Sequence, residues 1–217
     1  DMDPQANASI GVGVDSTSSQ YSIYDILINQ KNIKKCIQNT EIEYLDIIPS
    51  SANLAGAEIE LVSMFTRESI LKEALTNIYG KYKYIIIDSP PSLGLLTVNI
   101  FTASDSLIIP IQCEYYALEG LSQLLNTVRL IQNNLNNKLD IEGVLITMYD
   151  SRLNLSNQVV NEVKQYFGDK VYKTLIHRNV KLGESPSFGK PIILYDASST
   201  GSQNYMNLVS EILNQNG

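Results

Sequence analysis

The chain has 217 residues, 44% of them apolar, with 16 basic and 23 acidic side chains and a net charge of −7. That length and apolar content suffice for the core of one large α/β domain, and no stretch approaches the ~20 consecutive apolar residues that a bilayer-spanning helix needs. Cys36 and Cys113 are far apart and outside any CxxC spacing, which excludes a disulfide framework or a cysteine metal site, and both read as small buried apolar residues.

The acidity argues against a uniformly basic nucleic-acid face, because phosphate contacts come from Lys and Arg. The charge is unevenly spread, however. Residues 150–190 hold seven basic side chains (Arg152, Lys164, Lys170, Lys173, Arg178, Lys181, Lys190) against four acidic ones, a local +3 that leaves −10 on the remainder. A DNA-facing patch on an acidic body and scattered solvated lysines both fit that pattern.

In chain order, Asp1-Met2-Asp3-Pro4-Gln5 opens inside a motif with no strand or cap ahead of it, so a piece cut from a longer protein is expected. Residues 10–20, with Gly11, Gly13 and a Ser/Thr cluster, read as an exposed loop. Apolar runs rich in Ile, Val and Tyr at 44–48, 84–88, 106–112, 141–148 and 171–176 predict strands. Each is nearly all apolar, as strands covered on both faces should be. Between them Ile70, Leu71, Ala74, Leu75 and Ile78 recur at helical spacing within 68–78, and further helices are predicted over 118–135, 154–167 and 202–213. No internal repeat or long linker interrupts the alternation. The fold class it predicts is α/β, a single domain over 1–217 with a mostly parallel sheet and helices on both faces.

Two features carry chemistry. The run Tyr84-Ile85-Ile86-Ile87 ends in Asp88 and continues Ser89-Pro90-Pro91-Ser92, which puts a carboxylate at the carboxyl edge of a parallel sheet, where ligands of such folds bind. Alone, such an Asp reads equally as a Mg²⁺-orienting acid and as a strand-end cap. If Asp1 and Asp3 also leave a strand end, three acids share one rim, and their repulsion favours a neutralising cation.

These motifs, together with Pro110-Ile111-Gln112-Cys113-Glu114-Tyr115-Tyr116-Ala117-Leu118-Glu119-Gly120 and the blocks Arg178-Asn179-Val180-Lys181-Leu182 and Pro186-Ser187-Phe188-Gly189-Lys190-Pro191, resemble the ParA/Soj partition ATPases of chromosomes and plasmids. The resemblance runs from Asp1 nearly to the C-terminus. It implies a P-loop NTPase of the ParA-MinD type, with ATP or ADP and Mg²⁺ as cofactors. It further implies a catalytic Asp3 orienting water, with Asp1 beside it near the metal. Asp88 is implied as the Walker B metal acid, and Ser89 and Pro90 as part of the switch that contacts nucleotide. Arg178 and Asn179 are implied near the cofactor, 112–120 on a dimer face, and Arg152 and Lys181 on a DNA-binding surface. ATP-dependent homodimerisation, non-specific DNA binding, a ParB-type partner that stimulates hydrolysis, and a cytoplasmic, nucleoid-associated location without membrane attachment follow as expectations.

Three positions depart from the family pattern: Lys181 stands for a usual Arg, Ala6 for a frequent Gly, and His177 for a typical Pro. Lys keeps the charge but loses the planar fork, and His177 reads as a polar surface residue. The larger departure is an absence: no GxxxxGK[ST] occurs anywhere in the 217 residues. The first strand, phosphate loop and first helix are therefore expected to be missing, and the chain alone is expected neither to bind ATP tightly nor to hydrolyse it. A catalytically dead interaction module is the alternative. A MinD-like membrane-cycling ATPase fails because 207–217 contains Glu211 and no Lys or Arg.

Overall fold

The computed structural model describes residues 1–114 and 119–215. Helix α1 (Asn7–Gly11) and helix α2 (Ile23–Leu27) come first, the latter opened by Asp25, whose carboxylate accepts from the Ser22 N–H at 2.9 Å. Strands β1 (Gln38–Asn39) and β2 (Asp46–Ile47) pair antiparallel. Helices α3 (Leu54–Leu61), α4 (Ile70–Leu75) and α5 (Leu95–Ala103) follow, then β3 (Ser106–Gln112), α6 (Glu119–Asn134), β4 (Asp140–Thr147) and α7 (Asn154–Phe167). The chain closes with α8 (Val180–Glu184), α9 (Ile192–Tyr195) and α10 (Thr200–Gln215).

β3 and β4 run parallel, and the segment after α7 extends them through bridges Val144 to Val171 and Tyr149 to His177. One face of this sheet packs Ile109, Ile111, Val144 and Ile146 against α6 and α7. The other packs Leu145, Tyr172 and Ile176 against Leu208 of α10. The α/β class with helices on both faces is thus realised. Fully buried side chains such as Ile146 and Val163 each contribute roughly 1.5–3 kcal/mol of apolar transfer. Both cysteines are buried and free. Among the described residues no helix is long and apolar enough to cross a membrane.

The strand expectations held fully only where a partner is present. The 106–112 run is a strand over its whole length, and 141–148 is one but for its last residue, Met148. The 171–176 run keeps its place by isolated bridges. The 44–48 run shrinks to two residues of an antiparallel pair, with Tyr44 at φ 63 and turned to solvent. The 84–88 run is not a strand. Among the described residues its sole backbone hydrogen bond is from the Met2 N–H to the Asp88 carbonyl, 2.9 Å, and Ile86 is 91% exposed. A run this apolar needs ladder partners and a cover on both faces, and among the described residues only Ile87 of the run packs against the core. β3 repeats the point on one face, since Leu107, Ile109 and Ile111 are buried while Ile108, Pro110 and Gln112 are exposed. The helix expectations were met at 154–167, and to within a few residues at 118–135, 202–213 and 68–78, the last as α4 plus one tighter turn. Residues 115–118, at the heart of the expected dimer-face segment, lie outside the described residues.

Candidate functional site

The opening tripeptide bridges two segment ends. The main-chain nitrogen of Asp1 donates to the Ile48 carbonyl at 3.1 Å, the Met2 N–H reaches Asp88, and the Met2 side chain is buried in the core between them. Beyond it the backbone turns tightly. Asp3 Oδ1 accepts from the Gln5 N–H at 2.9 Å, its carbonyl accepts from the Ala6 N–H at 2.9 Å, and Ala6 enters α1 in the left-handed region at φ 56. Glycine adopts that conformation freely and alanine pays roughly 1–2 kcal/mol for it, which is the physical content of the Gly-to-Ala departure seen in the sequence.

The three carboxylates do not converge as the sequence led one to expect. Asp1 turns inward: its Oδ2 accepts from the Ser9 N–H at 2.8 Å and the Ser9 hydroxyl at 2.7 Å, and its Oδ1 from the Asp3 N–H at 3.1 Å. Ser9 Oγ in turn accepts from the Ser50 N–H at 3.2 Å, and both serines are buried. Asp88 stands at the rim. Desolvation lifts its pKa above the ordinary carboxylate value, and the charge of Asp3 adds to that lift. Asp3 and Asp88 are therefore electrostatic neighbours, while among the described residues no three His, Cys, Asp or Glu side chains form a metal-holding group. Two hard carboxylate oxygens on one rim suit a Mg²⁺ ion held partly through water. No GxxxxGK[ST] loop, whose backbone amides would cradle a phosphate, occurs in the 217 residues.

After Asp88 the turn Ser89 to Ser92 leads into α5, held by the Thr97 hydroxyl on the Ser92 carbonyl at 2.5 Å. Gly94, the N-cap of α5, lies under the Glu58 carboxylate, where a Cβ would stand 2.0 Å from Glu58 Oε1. Any side chain there would require the Glu58 carboxylate to move away from the start of α5.

The basic residues form a second cluster at the carboxyl end of β4. A cleft of about 340 Å³ is lined by Tyr149, Asp150, Arg152, His177, Arg178 and Asn179. Arg152 is 85% exposed and forked on Asp150, with Nε to Oδ1 at 2.9 Å and Nη2 to Oδ2 at 2.7 Å, which draws the Asp150 pKa down to about 2. Arg178 pairs with Glu114 and Lys181 with Glu184, both at 2.8 Å, and Asn179 caps α8 by accepting from the Lys181 N–H. His177 is half-buried: its backbone N–H donates to Asn204 Oδ1, its Nδ1 lies 3.1 Å from the same atom, and its ring meets Tyr149 edge-on. Among the described residues no hydrogen bond or ion pair joins this cluster to Asp3 or Asp88.

One contact does link the loop after α1 to the segment after α8. Gly13 and Gly189 both have positive φ and pack backbone to backbone, so that a Cβ on Gly189 would stand 3.0 Å from Gly13 Cα. Sequence reasoning missed this contact and the Asp1-Ser9-Ser50 relay. The Gly11-x-Gly13 spacing was the available signal for the first, and nothing marked Ser9.

A family model described as an AAA domain matches residues 1–141. The sporulation initiation inhibitor protein Soj of Bacillus subtilis is 58% identical over 212 residues, covering 98% of this chain and 84% of the relative. The chromosome partitioning protein ParA of Myxococcus xanthus is 50% identical, covering 98% of this chain and 75% of that one. Among solved structures, cobyrinic acid a,c-diamide synthase of Mycobacterium smegmatis, with a bound ATP analogue and magnesium, superposes with a TM-score of 0.85 at 31% identity over 98% of this chain and 79% of that one. On this similarity along nearly its whole length, the chain belongs to the ParA/Soj family of chromosome-partitioning ATPases.

Proposed function

We propose that this polypeptide is the greater part of an ATP-driven DNA-partition switch whose phosphate loop is carried by a segment ahead of Asp1. The observation that carries the reading is the backbone bond from the Met2 N–H to the Asp88 carbonyl, which brings the turn bearing Asp3 to Asp88, where the charge of Asp3 adds to the cost of ionising Asp88 until a cation joins them. ATP and Mg²⁺ are the cofactors, in keeping with the nucleotide and magnesium bound in the similar solved structure. A Mg²⁺ ion supplies charge neutralisation for the transferred phosphoryl group. Asp88 would hold that ion, Asp3 would orient the attacking water, and Ser89 and Pro90 would lie beside the terminal phosphate. Arg178 and Asn179 line the cleft that receives the far end of the nucleotide.

The open backbone of 84–88 and the uncovered Ile108 face of β3 support the same reading, because a strand followed by a helix would satisfy both. Binding of ATP selects a homodimer that presents Arg152 and Lys181 to DNA without sequence preference. Hydrolysis, stimulated by a ParB-type partner, removes that selection. The protein works in the cytoplasm on the nucleoid.

ATP turnover of the 217-residue chain, measured beside a form extended by a strand and a KGGxGK[ST] loop, tests the proposal. The extended form turns over ATP and retains DNA with ATP but not ADP, and the 217-residue chain does neither. Turnover by the short chain, or DNA retention indifferent to nucleotide, overturns it.

A further inference from the structure

We propose that Asp1 is a positioning residue: its carboxylate, closed by Ser9, fixes the turn that carries Asp3, and it is not itself a ligand of the ion. This rests on the nucleotide-site reading above. The sequence spacing Asp1-x-Asp3 makes the two acids look equivalent, and the hydrogen bonds separate them. Asp1 Oδ2 takes two short bonds from Ser9, the N–H at 2.8 Å and the hydroxyl at 2.7 Å, while Oδ1 takes the Asp3 N–H at 3.1 Å. Asp3 engages one oxygen only, Oδ1, with the Gln5 N–H, so that Oδ2 has no partner among the described residues and its charge reaches Asp88.

Direct ligation by Asp1 would require rotating its carboxylate off Ser9. Ser9 has no exposed surface, so its N–H and hydroxyl would be left without water or protein partners. The relay also reaches further than the turn. Ser9 Oγ accepts from the buried Ser50 N–H, which ties α1 and the segment after β2 to the same carboxylate. Asp1 therefore acts as a hydrogen-bonding hub between three backbone pieces, and the piece it holds most directly is the one bearing Asp3. Groups that orient catalytic acids in this way typically carry about 10- to 100-fold of the function when removed.

Two measurements test the assignment. In the 217-residue chain, Asp1→Asn and Ser9→Ala each speed amide exchange at Ser9, Asp3 and Ser50 in the same pattern, read by NMR. In the loop-extended protein, both variants lower kcat by a similar factor of about 10 or more with the Mg²⁺ half-saturation unchanged, and Ser9→Thr restores activity. If Ser9→Ala retains full turnover, or if Asp1→Asn is rescued by raising Mg²⁺, Asp1 is a ligand and the assignment falls. Should the extended wild-type protein fail to turn over ATP, the functional reading falls, and the exchange pattern alone still decides the role of Asp1: unchanged protection at Ser9 in Asp1→Asn overturns it.

Discussion

Removing the hydroxyl of Tyr172 should make the protein more stable. The ring is 1% exposed and lies over Gly143, where a Cβ would come within 2.5 Å of its carbons, and the hydroxyl has no hydrogen-bond partner among the described residues. A buried polar group left unpaired costs about 1–3 kcal/mol, whereas Tyr172→Phe keeps the shape of the ring. The expected net gain at neutral pH is about 1 kcal/mol, or about 0.5 M in the urea midpoint at a slope of about 2 kcal/mol/M, with that slope unchanged. Alkaline pH sharpens the test. Burial, then the charges of Glu142 and Glu211, push the Tyr172 phenol up from 10.0 to about 12. Below pH 10 the phenol is neutral in both states and its contribution is intact. As pH rises toward 12 the unfolded chain ionises first, so wild-type stability drains by at most roughly 3 kcal/mol while the Phe variant is spared this loss. A lower urea midpoint for Tyr172→Phe at pH 7, or an identical decline of both proteins between pH 10 and 12, would refute the reasoning.

Gly189→Ala should destabilise by about 2–4 kcal/mol in thermal or urea unfolding, combining left-handed backbone strain with displacement of Gly13, whereas Gly11→Ala, with nothing within 4 Å, should stay near wild type. Asp88→Asn should stabilise the metal-free chain at neutral pH. The contribution of a carboxyl whose folded pKa is lifted is whole below its unfolded value of 3.8 and is lost as pH rises through the lifted value, so the gain should vanish in acid. In the loop-extended protein with ATP, Arg152→Ala should weaken DNA retention evenly across sequences and reduce the salt slope by about one, read by retention at several salt concentrations.

Where periodicity met a satisfied environment, the sequence was legible. Helix α7 was delimited to the residue because Val159, Val160 and Val163 face a sheet that is present. The reading of 84–88 failed because apolar content reports what a segment requires, not what stands beside it, and Ile86 has no neighbour to cover it. Short helices such as α8 and α9 escaped detection because a single turn carries no period to count. In the candidate site, Asp88 and Asp3 were singled out by their place after or between motif residues. The inward turn of the Asp1 carboxylate was not legible, because its direction depends on a buried serine eight positions on, a distance at which spacing carries no signal. Likewise the cations Arg152 and Lys181 were legible as charges, while their partners Asp150 and Glu184 became visible only as bond geometry.

The backbone contact of Gly13 with Gly189 has a consequence for synthesis. On the ribosome the loop next to the carboxylates emerges 176 residues ahead of the glycine against which it settles. Until that stretch has been synthesised the loop has its local hydrogen bonds alone, and a nascent chain released before Gly189 would carry the acidic motif intact but undocked.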